Sequence, residues 1–519
     1  MLTGLSIAIL AFVTAGIGAM MLTPPIARLA VRLGAVDHPD GDRKCQVQAV
    51  PRGGGFAIAI ATILGLLAAY FVFTPAAGTF STRMVSGLLP AAILLLIVGF
   101  IDDVWTLTGI YKLIGQMLAV SLLVAGGSKF ESISLLGMNL PLGNLHIPFT
   151  IFFCLGAINA FNLVDGTDGL ASSIGAIVSL TLGIIAISRG DFLSAMICFS
   201  LAGALAGFLR FNLSRASVYL GDTGSMLIGL VTAAVAIECS IKQQTAFALA
   251  VPAAICAIPA LDAAAALVRR IITGQSVFTA DRGHLHHALL LRGWSNGQTV
   301  AFIAGLTSLT CAAALASYFT HSDLIAVPIT IAVFGTLAAT RVFGHAESAL
   351  IFNRLRSLVR STIMGPIQRT SLESESTVRL QGNRKWQDLW SSLREAAPKY
   401  NVAGMTLQVS IPGYHESFFA TWKQNDAKLG DDSWRVALPL TFGDRRIGKL
   451  TMLGASGGSQ AVSELQQLFD YLEMLDPQIM EIIDEVAIPS SGANGHATGP
   501  SLRLAAAAGV SSATGADAD

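Results

Sequence analysis

The sequence predicts a polytopic α-helical membrane protein of about eleven transmembrane helices, followed by a cytoplasmic α+β domain. Three observations carry this. Apolar residues make up 53% of the chain and charged residues 13%. The apolar residues fall in blocks near the length of about 20 that a helix needs to cross a bilayer. From about residue 365 onward the blocks stop and polar residues take over.

The blocks run at roughly 3–23, 54–74, 84–101, 113–127, 146–164, 170–188, 192–209, 225–240, 245–267, 299–319 and 324–340. The chain passes from Met1-Leu2-Thr3-Gly4 into the first block without a basic leader or a small-residue cleavage site, so an uncleaved first helix is expected. Cys154, Cys198, Cys239, Cys256 and Cys311 lie in or at the end of apolar blocks, and Cys45 stands alone in a polar loop. That is core packing, not a disulfide framework or a zinc site.

Lys and Arg number 33 and Asp and Glu 33, so net charge points to no partner class, and no nucleic-acid ligand is expected. The distribution between loops is informative. Arg28, Arg32, Arg43, Lys44 and Arg52 fill the first loop, and alternate loops then hold Lys112, Arg210 with Arg215, and Arg269, Arg270, Arg282 and Arg292. The intervening loops carry only scattered Arg83, Lys129, Arg189 and Lys242. By the positive-inside rule the basic set is cytoplasmic. An odd number of spans then puts the N-terminus outside and everything after Arg341 inside a plasma (inner) membrane.

The expected organisation is a transmembrane domain at 1–342, a linker at 343–380, a cytoplasmic α+β domain at 381–488 and a disordered tail at 489–519, where Gly, Ala and Ser dominate. Within the third segment, Trp386 to Ala397 reads as helix. Gly404 to Ser410, Glu416 to Trp422, Trp434 to Leu440 and Arg446 to Leu453 read as strands, and Ser463 to Val486 as an amphipathic helix.

Polar clusters interrupt the apolar blocks at five places. The first loop reads Val36-Asp37-His38-Pro39-Asp40-Gly41-Asp42-Arg43-Lys44, then Val50-Pro51-Arg52-Gly53-Gly54-Gly55, whose glycines let the backbone approach a ligand or a neighbouring helix. The third block ends in Asp102-Asp103, adjacent carboxylates that repel unless a cation or a shared proton relieves them. Lys112 and Gln116 follow, on one helical face. The fifth block ends Asn159-Ala160-Phe161-Asn162-Leu163-Val164-Asp165-Gly166-Thr167-Asp168-Gly169, whose first two amides alone could be a helix-packing seam but whose two acids packing does not require.

After Arg210-Phe211-Asn212 comes Gly221-Asp222-Thr223-Gly224-Ser225, an acid between glycines at the start of a block, suited to a metal or phosphate at a helix N-terminus or to simple capping. Beyond Pro259 and Asp262 lies Asp281-Arg282-Gly283-His284-Leu285-His286-His287. Phosphate or nucleotide contact, metal ligation and a solvated loop all remain open for it. All five clusters fall on loops that the charge pattern places in the cytoplasm, which implies one cleft facing that side.

Together these motifs resemble the polyprenyl-phosphate N-acetylhexosamine-1-phosphate transferases of glycosyltransferase family 4. The resemblance covers about residues 1–342 and rests on Asp102-Asp103 with Lys112 and Gln116, on Asn159 through Gly169, on Gly221-Asp222-x-Gly224-Ser225, and on Asp281-x-x-His284-x-His286-His287. The histidine motif is closer to the branch that uses UDP-N-acetylglucosamine or a related simple UDP-sugar. One departure stands in the first loop, where the family's Arg-Lys-x-His continues here as Arg43-Lys44-Cys45-Gln46, and a proline that often follows is Ala49.

The resemblance implies transfer of a sugar 1-phosphate from a UDP-sugar to a polyprenyl (undecaprenyl) phosphate with release of UMP, an undecaprenyl-phosphate GlcNAc-1-phosphate transferase-like activity. It implies Mg²⁺, with Mn²⁺ as a substitute. Asp222 is the expected metal ligand, joined by Asp165, and Asp102, Asp103 and Asp165 are the expected catalytic acids. Arg43, Lys44, Lys112, Asn159, Asn162, Asp168, Asn212, Asp281, Arg282, His284, His286 and His287 are the expected substrate contacts. The partners are then the UDP-sugar, the lipid phosphate and the bilayer, and a homodimer is compatible with the sequence. Two rivals differ in class. An ion-coupled transporter would also carry intramembrane acids, and an inactive bundle would serve as scaffold for the C-terminal domain.

Overall fold

The computed structural model describes residues 2–37, 49–77, 82–135, 138–213, 215–241, 250–272, 283–340, 342–343, 374–381, 385–411, 416–424, 434–442, 445–454, 466–472 and 474–475. The chain divides into two units, Met1–Leu267 with His284–Gly344, and Val268–Gly283 with His345–Asp519.

The first unit is helical. Its elements are α1 (Leu2–Arg32), α2 (Gly54–Ala77), α3 (Thr82–Trp105), α4 (Gly109–Ala125), α5 (His146–Val164), α6 (Leu170–Ser188), α7 (Phe192–Asn212), α8 (Gly221–Ile241), α9 (Ala250–Ile255), α10 (Ala257–Ile272), α11 (Leu285–Leu290), α12 (Asn296–Thr320) and α13 (Asp323–Ala339). Two short hairpins join them, β1 (Val36–Asp37) with β2 (Val50–Pro51), and β3 (Ser132–Leu135) with β4 (Met138–Pro141).

Among the described residues eight helices are long and apolar enough to cross a membrane: α1, α2, α3, α5, α6, α7, α8 and α12. The chain is thus a multi-pass membrane protein, with a count that differs from the expected eleven at three places. Helices α4 and α13 have 17 residues each, about 26 Å of axis. The block expected at 245–267 lies partly outside the described residues, and the rest breaks at Cys256 into α9 and α10.

The bundle is organised around α8, whose most apolar window is 94% buried and which packs against α2, α3, α5, α6 and α7. A helix apolar all round belongs inside the bundle. Helix α3, by contrast, turns Val85, Leu89, Ile93 and Ile97 outward at every fourth residue, a stripe suited to lipid. Helices α1 and α7 meet backbone to backbone. A Cβ at Gly203 would stand 2.1 Å from the Phe12 carbonyl oxygen, and one at Gly207 2.2 Å from that of Gly16. Only glycine admits so close a crossing.

The second unit contains a five-stranded antiparallel sheet of β5 (Ser374–Gln381), β6 (Val402–Ile411), β7 (Glu416–Lys423), β8 (Trp434–Phe442) and β9 (Arg445–Gly454), in the order β5-β7-β6-β9-β8. Period-two burial sends Met405, Leu407, Val409, Phe418, Ala420, Trp422, Val436, Leu438, Leu450 and Met452 to one face. Trp386, Leu389, Trp390 and Leu393 of α14 (Lys385–Ala396) and Leu468 and Leu472 of the helical stretch 466–472 complete that core.

The four expected strands and the helix at Trp386 are present within two residues of their expected ends. Strand β5 starts inside the stretch expected to be linker. Its sequence, Ser-Glu-Ser-Thr-Val-Arg-Leu-Gln, is mostly polar and lacks a core strand's apolar signature; it lies at an edge of the sheet, paired with β7, where polar residues are tolerated. Most of the linker, most of the helix expected at 463–486 and the tail lie outside the described residues.

Candidate active site

The site is built where α3 ends, α4 and α8 begin, and α5 gives way to the loop 165–169. The turn before α8 is fixed first. Strand β2 runs alongside Tyr219 and Leu220, with Tyr219 N donating to the Pro51 carbonyl at 2.9 Å and Gly54 N and Gly55 N donating to the Tyr219 and Leu220 carbonyls at 3.0 and 2.9 Å. Gly221 then turns with φ +75°, a left-handed conformation that glycine adopts without strain. On the far side, a Cβ at Gly99 would stand 2.5 Å from Thr223 Cα, so α3 passes directly over the first turn of α8.

That crossing places Asp103 over the α8 N-terminus. Its Oδ1 accepts from Asp222 N at 2.9 Å, and its Oδ2 accepts from Thr223 N at 3.2 Å and Thr223 Oγ1 at 2.7 Å. A carboxylate facing unpaired N–H groups at the positive end of a helix is stabilising. Of the readings open for Gly221-Asp222-Thr223-Gly224-Ser225, the α8 N-terminus is capped in the structure by the Asp103 carboxylate. Asp103 positions the turn that carries Asp222.

Asp102 points the other way. Its Oδ1 accepts from Leu107 N at 2.7 Å and its Oδ2 meets Lys112 Nζ at 2.8 Å. Lys112 Nζ also lies 3.0 Å from Asp222 Oδ2 and donates to Asn162 Oδ1 at 3.1 Å. An ammonium has three N–H groups, so all three are engaged. Lys112 thus bridges the Asp102 and Asp222 carboxyls and offsets their repulsion. Asn162 Nδ2 donates to Asp222 Oδ1 and to Ser225 Oγ. One turn earlier, Asn159 Nδ2 donates to Gln116 Oε1 at 2.8 Å, which extends the polar seam between α4 and α5.

Asp222 opens on a cavity of about 330 Å³ lined by Asp37, Arg52, Asp103, Asp165, Gly166, Thr167, Asp168, Asn212, Tyr219, Leu220, Gly221 and Asp222. Its described lining carries five carboxylates and one cation, Arg52, which is ion-paired with Asp37. Burial pushes the Asp165 carboxyl well above the usual carboxylate range; the charges of Asp222, Asp103 and Asp168 push the same way, and Lys112 opposes them. The lining therefore has an excess of negative charge that a cation would relieve.

The donor set fits a hard cation. Among the described residues no three His, Cys, Asp or Glu side chains converge to hold a metal by themselves. Mg²⁺ does not need them, because it is usually held by one or two carboxylates together with water and substrate phosphates. Asp222 has lone pairs beyond its bonds to Asn162 and Lys112, and Asp165 lines the same cavity.

Other expected contacts have local duties. Asn212 is 3% exposed, accepts from Gly169 N and Ser172 Oγ at 3.1 and 3.0 Å, and donates to the Val218 carbonyl, so it fastens the 165–169 loop to the end of α7. Asp168 Oδ2 accepts from Ala216 N at 2.9 Å. The histidines sit beside the same loop. A Cβ at Gly166 would stand 2.7 Å from His286 Nε2, and the His284 and His286 rings stack with centroids 5.8 Å apart and 4° between planes. Burial, and then the neighbouring His287, push His286 down to about 3. Arg43, Lys44, Gln46, Asp281 and Arg282 lie outside the described residues.

Structure adds Asp37, Arg52, Tyr219 and Asp262 to the expected set. Asp37 and Arg52 had a weak sequence signal, an acid and a base either side of the first loop, whereas nothing local marks Tyr219 or ties Asp262 to the histidines.

The sequence profile of glycosyl transferase family 4 matches residues 85–240, the stretch from α3 to α8. A probable undecaprenyl-phosphate N-acetylglucosaminyl 1-phosphate transferase of Bacillus subtilis is 30% identical over 57% of this chain and 80% of its own length. A decaprenyl-phosphate N-acetylglucosaminephosphotransferase of Mycobacterium tuberculosis is 35% identical over 60% of this chain and 83% of its own. A phospho-N-acetylmuramoyl-pentapeptide-transferase of Clostridium perfringens is 33% identical over 42% of this chain and 71% of its own. With the acidic cavity, the spanning helices and these similarities in agreement, the chain belongs to glycosyl transferase family 4.

Proposed function

We propose that the protein transfers a sugar 1-phosphate, N-acetylglucosamine 1-phosphate in the first instance, from a UDP-sugar to a polyprenyl phosphate at the cytoplasmic face of the membrane, and so begins a lipid-linked glycan. The observation that carries this is the convergence of Asp102, Lys112, Asn162 and Asp222 beside one cavity whose lining also includes Asp103, Asp165 and Asp168. The names of the relatives support N-acetylglucosamine phosphate as the transferred group and a polyprenyl phosphate as the acceptor.

In this reading a non-bridging oxygen of the lipid phosphate attacks the sugar-bearing phosphorus of the donor. A new P–O–P linkage forms, the bond from that phosphorus to the oxygen bridging it to the nucleoside phosphate breaks, and UMP departs carrying that oxygen and the bonding electrons. The lipid phosphate has a second pKa near about 6 and is largely dianionic at neutral pH, so no strong base is required. Asp222 and Asp165 would hold Mg²⁺, which supplies charge neutralisation to the diphosphate when bound. Asn162 and Lys112 fix the Asp222 carboxylate, and Asp103 fixes the backbone beneath it. Lys112 is a strut of the acid cluster, since each of its N–H groups already has an acceptor. Arg52, in the cavity lining and paired with Asp37, would meet a phosphate through its remaining N–H groups.

An ion-coupled transporter is less well supported, because its acids would lie near the middle of the spans. Here Asp102 and Asp103 are in the last turn of α3 and Asp222 is in the first turn of α8. The test is Asp222→Asn in purified protein supplied with UDP-N-acetylglucosamine, undecaprenyl phosphate and Mg²⁺. Release of UMP should fall at least about 100-fold, the scale for losing electrostatic stabilisation at the reacting phosphate. Retention of wild-type activity would remove Asp222 from the mechanism.

A further inference from the structure

Asp262 stands alone in an apolar stretch of α10 and takes no part in the acid cluster, yet it is 3% exposed. Both of its oxygens are committed to the histidine segment. Oδ2 lies 2.9 Å from His284 Nδ1, and Oδ1 accepts from Leu285 N at 2.9 Å. His284 is itself 4% exposed, and its ring lies parallel to that of His286, which rests on the backbone of Gly166 at the cavity wall. His286 Nε2 is buried and finds no hydrogen-bond partner among the described residues. A continuous line of contacts therefore runs from Asp262 through two stacked imidazoles to the loop bearing Asp165 and Asp168.

We infer that Asp262 is the positioning residue of this segment: it fixes the proton of His284 on Nδ1, leaves Nε2 as the unprotonated nitrogen of the neutral ring, and seats α11 so that His286 bears on Gly166. A carboxylate only accepts hydrogen bonds, so Nδ1 must carry the proton. The same carboxylate ties the first N–H of α11, so ring and backbone are set by one group. A carboxylate paired in this way determines which ring nitrogen is presented; behind metal-bound histidines altering it typically costs about 10–100-fold in affinity or activity, and the same scale is taken for His284. Asp262 acts through His284 and touches no reacting atom. The catalytic part of this inference rests on the sugar-1-phosphate transfer proposed above; the proton placement does not.

The decisive variant is Asp262→Asn. Asparagine keeps an oxygen for Leu285 N, but it presents an N–H to Nδ1 and so drives the proton of His284 to Nε2. In histidine-labelled protein, the ¹⁵N signals of His284, assigned with His284→Gln, should show Nδ1 protonated in the wild type and Nε2 protonated in the variant. The variant's kcat for UMP release should fall about 10–100-fold while KM for the UDP-sugar moves less than about threefold. The double variant Asp262→Asn with His284→Gln should be no slower than His284→Gln alone.

A bare Nδ1 in the wild type overturns the inference, as does a variant with unchanged kcat or a fully additive double variant. If Asp262→Asn does not fold, the wild-type spectrum still decides the proton's position. If wild-type protein releases no UMP from any UDP-sugar while Nδ1 is protonated, the proposed reaction has failed and the Asp262–His284 pairing has not.

Discussion

Replacing Lys112 with methionine probes the centre of the acid cluster. The ammonium lies 2.8 Å from Asp102 and 3.0 Å from Asp222, and the side chains of Lys112 and Asp102 are only 15% and 8% exposed. At an effective dielectric constant near 20, each of those contacts is a gross attraction of about 6 kcal/mol. Desolvation of the three ions offsets much of it, and deleting one member of such a set typically costs about 3–5 kcal/mol because the others are left uncompensated. Methionine matches the length of the lysine stem, so little of the loss is packing. In detergent-solubilised protein the midpoint of thermal unfolding at a fixed scan rate should fall by about 6–10 °C. Adding Asp102→Asn to Lys112→Met removes one of the two facing charges and should restore more than half of that loss. A single variant as stable as wild type, or a double variant no better than the single, would refute the role given to Lys112.

Three other expectations follow from the same structure. Gly203→Ala places a Cβ 2.1 Å from a backbone oxygen and should cost about 1–3 kcal/mol in thermal unfolding; Gly156→Ala, where nothing lies within 4 Å, should cost nothing. His286 is held neutral in the fold, with its pKa lowered to about 3 from an unfolded value near 6.5, so its protonation favours the unfolded chain. Wild-type stability should accordingly fall by up to about 1.4 kcal/mol per pH unit below about 6.5, and His286→Phe should flatten that slope in a melting series from pH 7.5 to 5. In the second unit, a Cβ at Gly454 would stand 2.0 Å from the Trp434 ring, so Gly454→Val should unfold that unit selectively, read by tryptophan fluorescence, while UMP release continues.

Much of the site was legible because helical spacing is regular. Lys112 and Gln116, and Asn159 and Asn162, lie on facing stripes of α4 and α5, and the structure joins those stripes directly. Asp222 between glycines was likewise readable as a special position. The division of labour within Asp102-Asp103 was not, because it depends on α3 crossing α8 at Gly99, a tertiary contact with no local signature. That crossing gives Asp103 the helix terminus and leaves Asp102 to Lys112. Asp262 was equally opaque: a single acid among alanines and leucines says nothing about a histidine 22 residues later. The sequence marks α4 and α13 as apolar blocks, but it does not show where each helix stops: α4 ends at Gly126-Gly127, at 17 residues. Strand β5 was missed because an edge strand can be polar.

The central claim is a transfer of sugar together with its phosphate, and one measurement separates it from ordinary sugar transfer. Purified protein would be incubated with Mg²⁺, undecaprenyl phosphate and UDP-N-acetylglucosamine labelled in both the sugar and its attached phosphate. The account predicts that both labels enter the lipid in equal amounts and that UMP appears in the same amount. Sugar label in the lipid without phosphate label, accompanied by UDP, would contradict it.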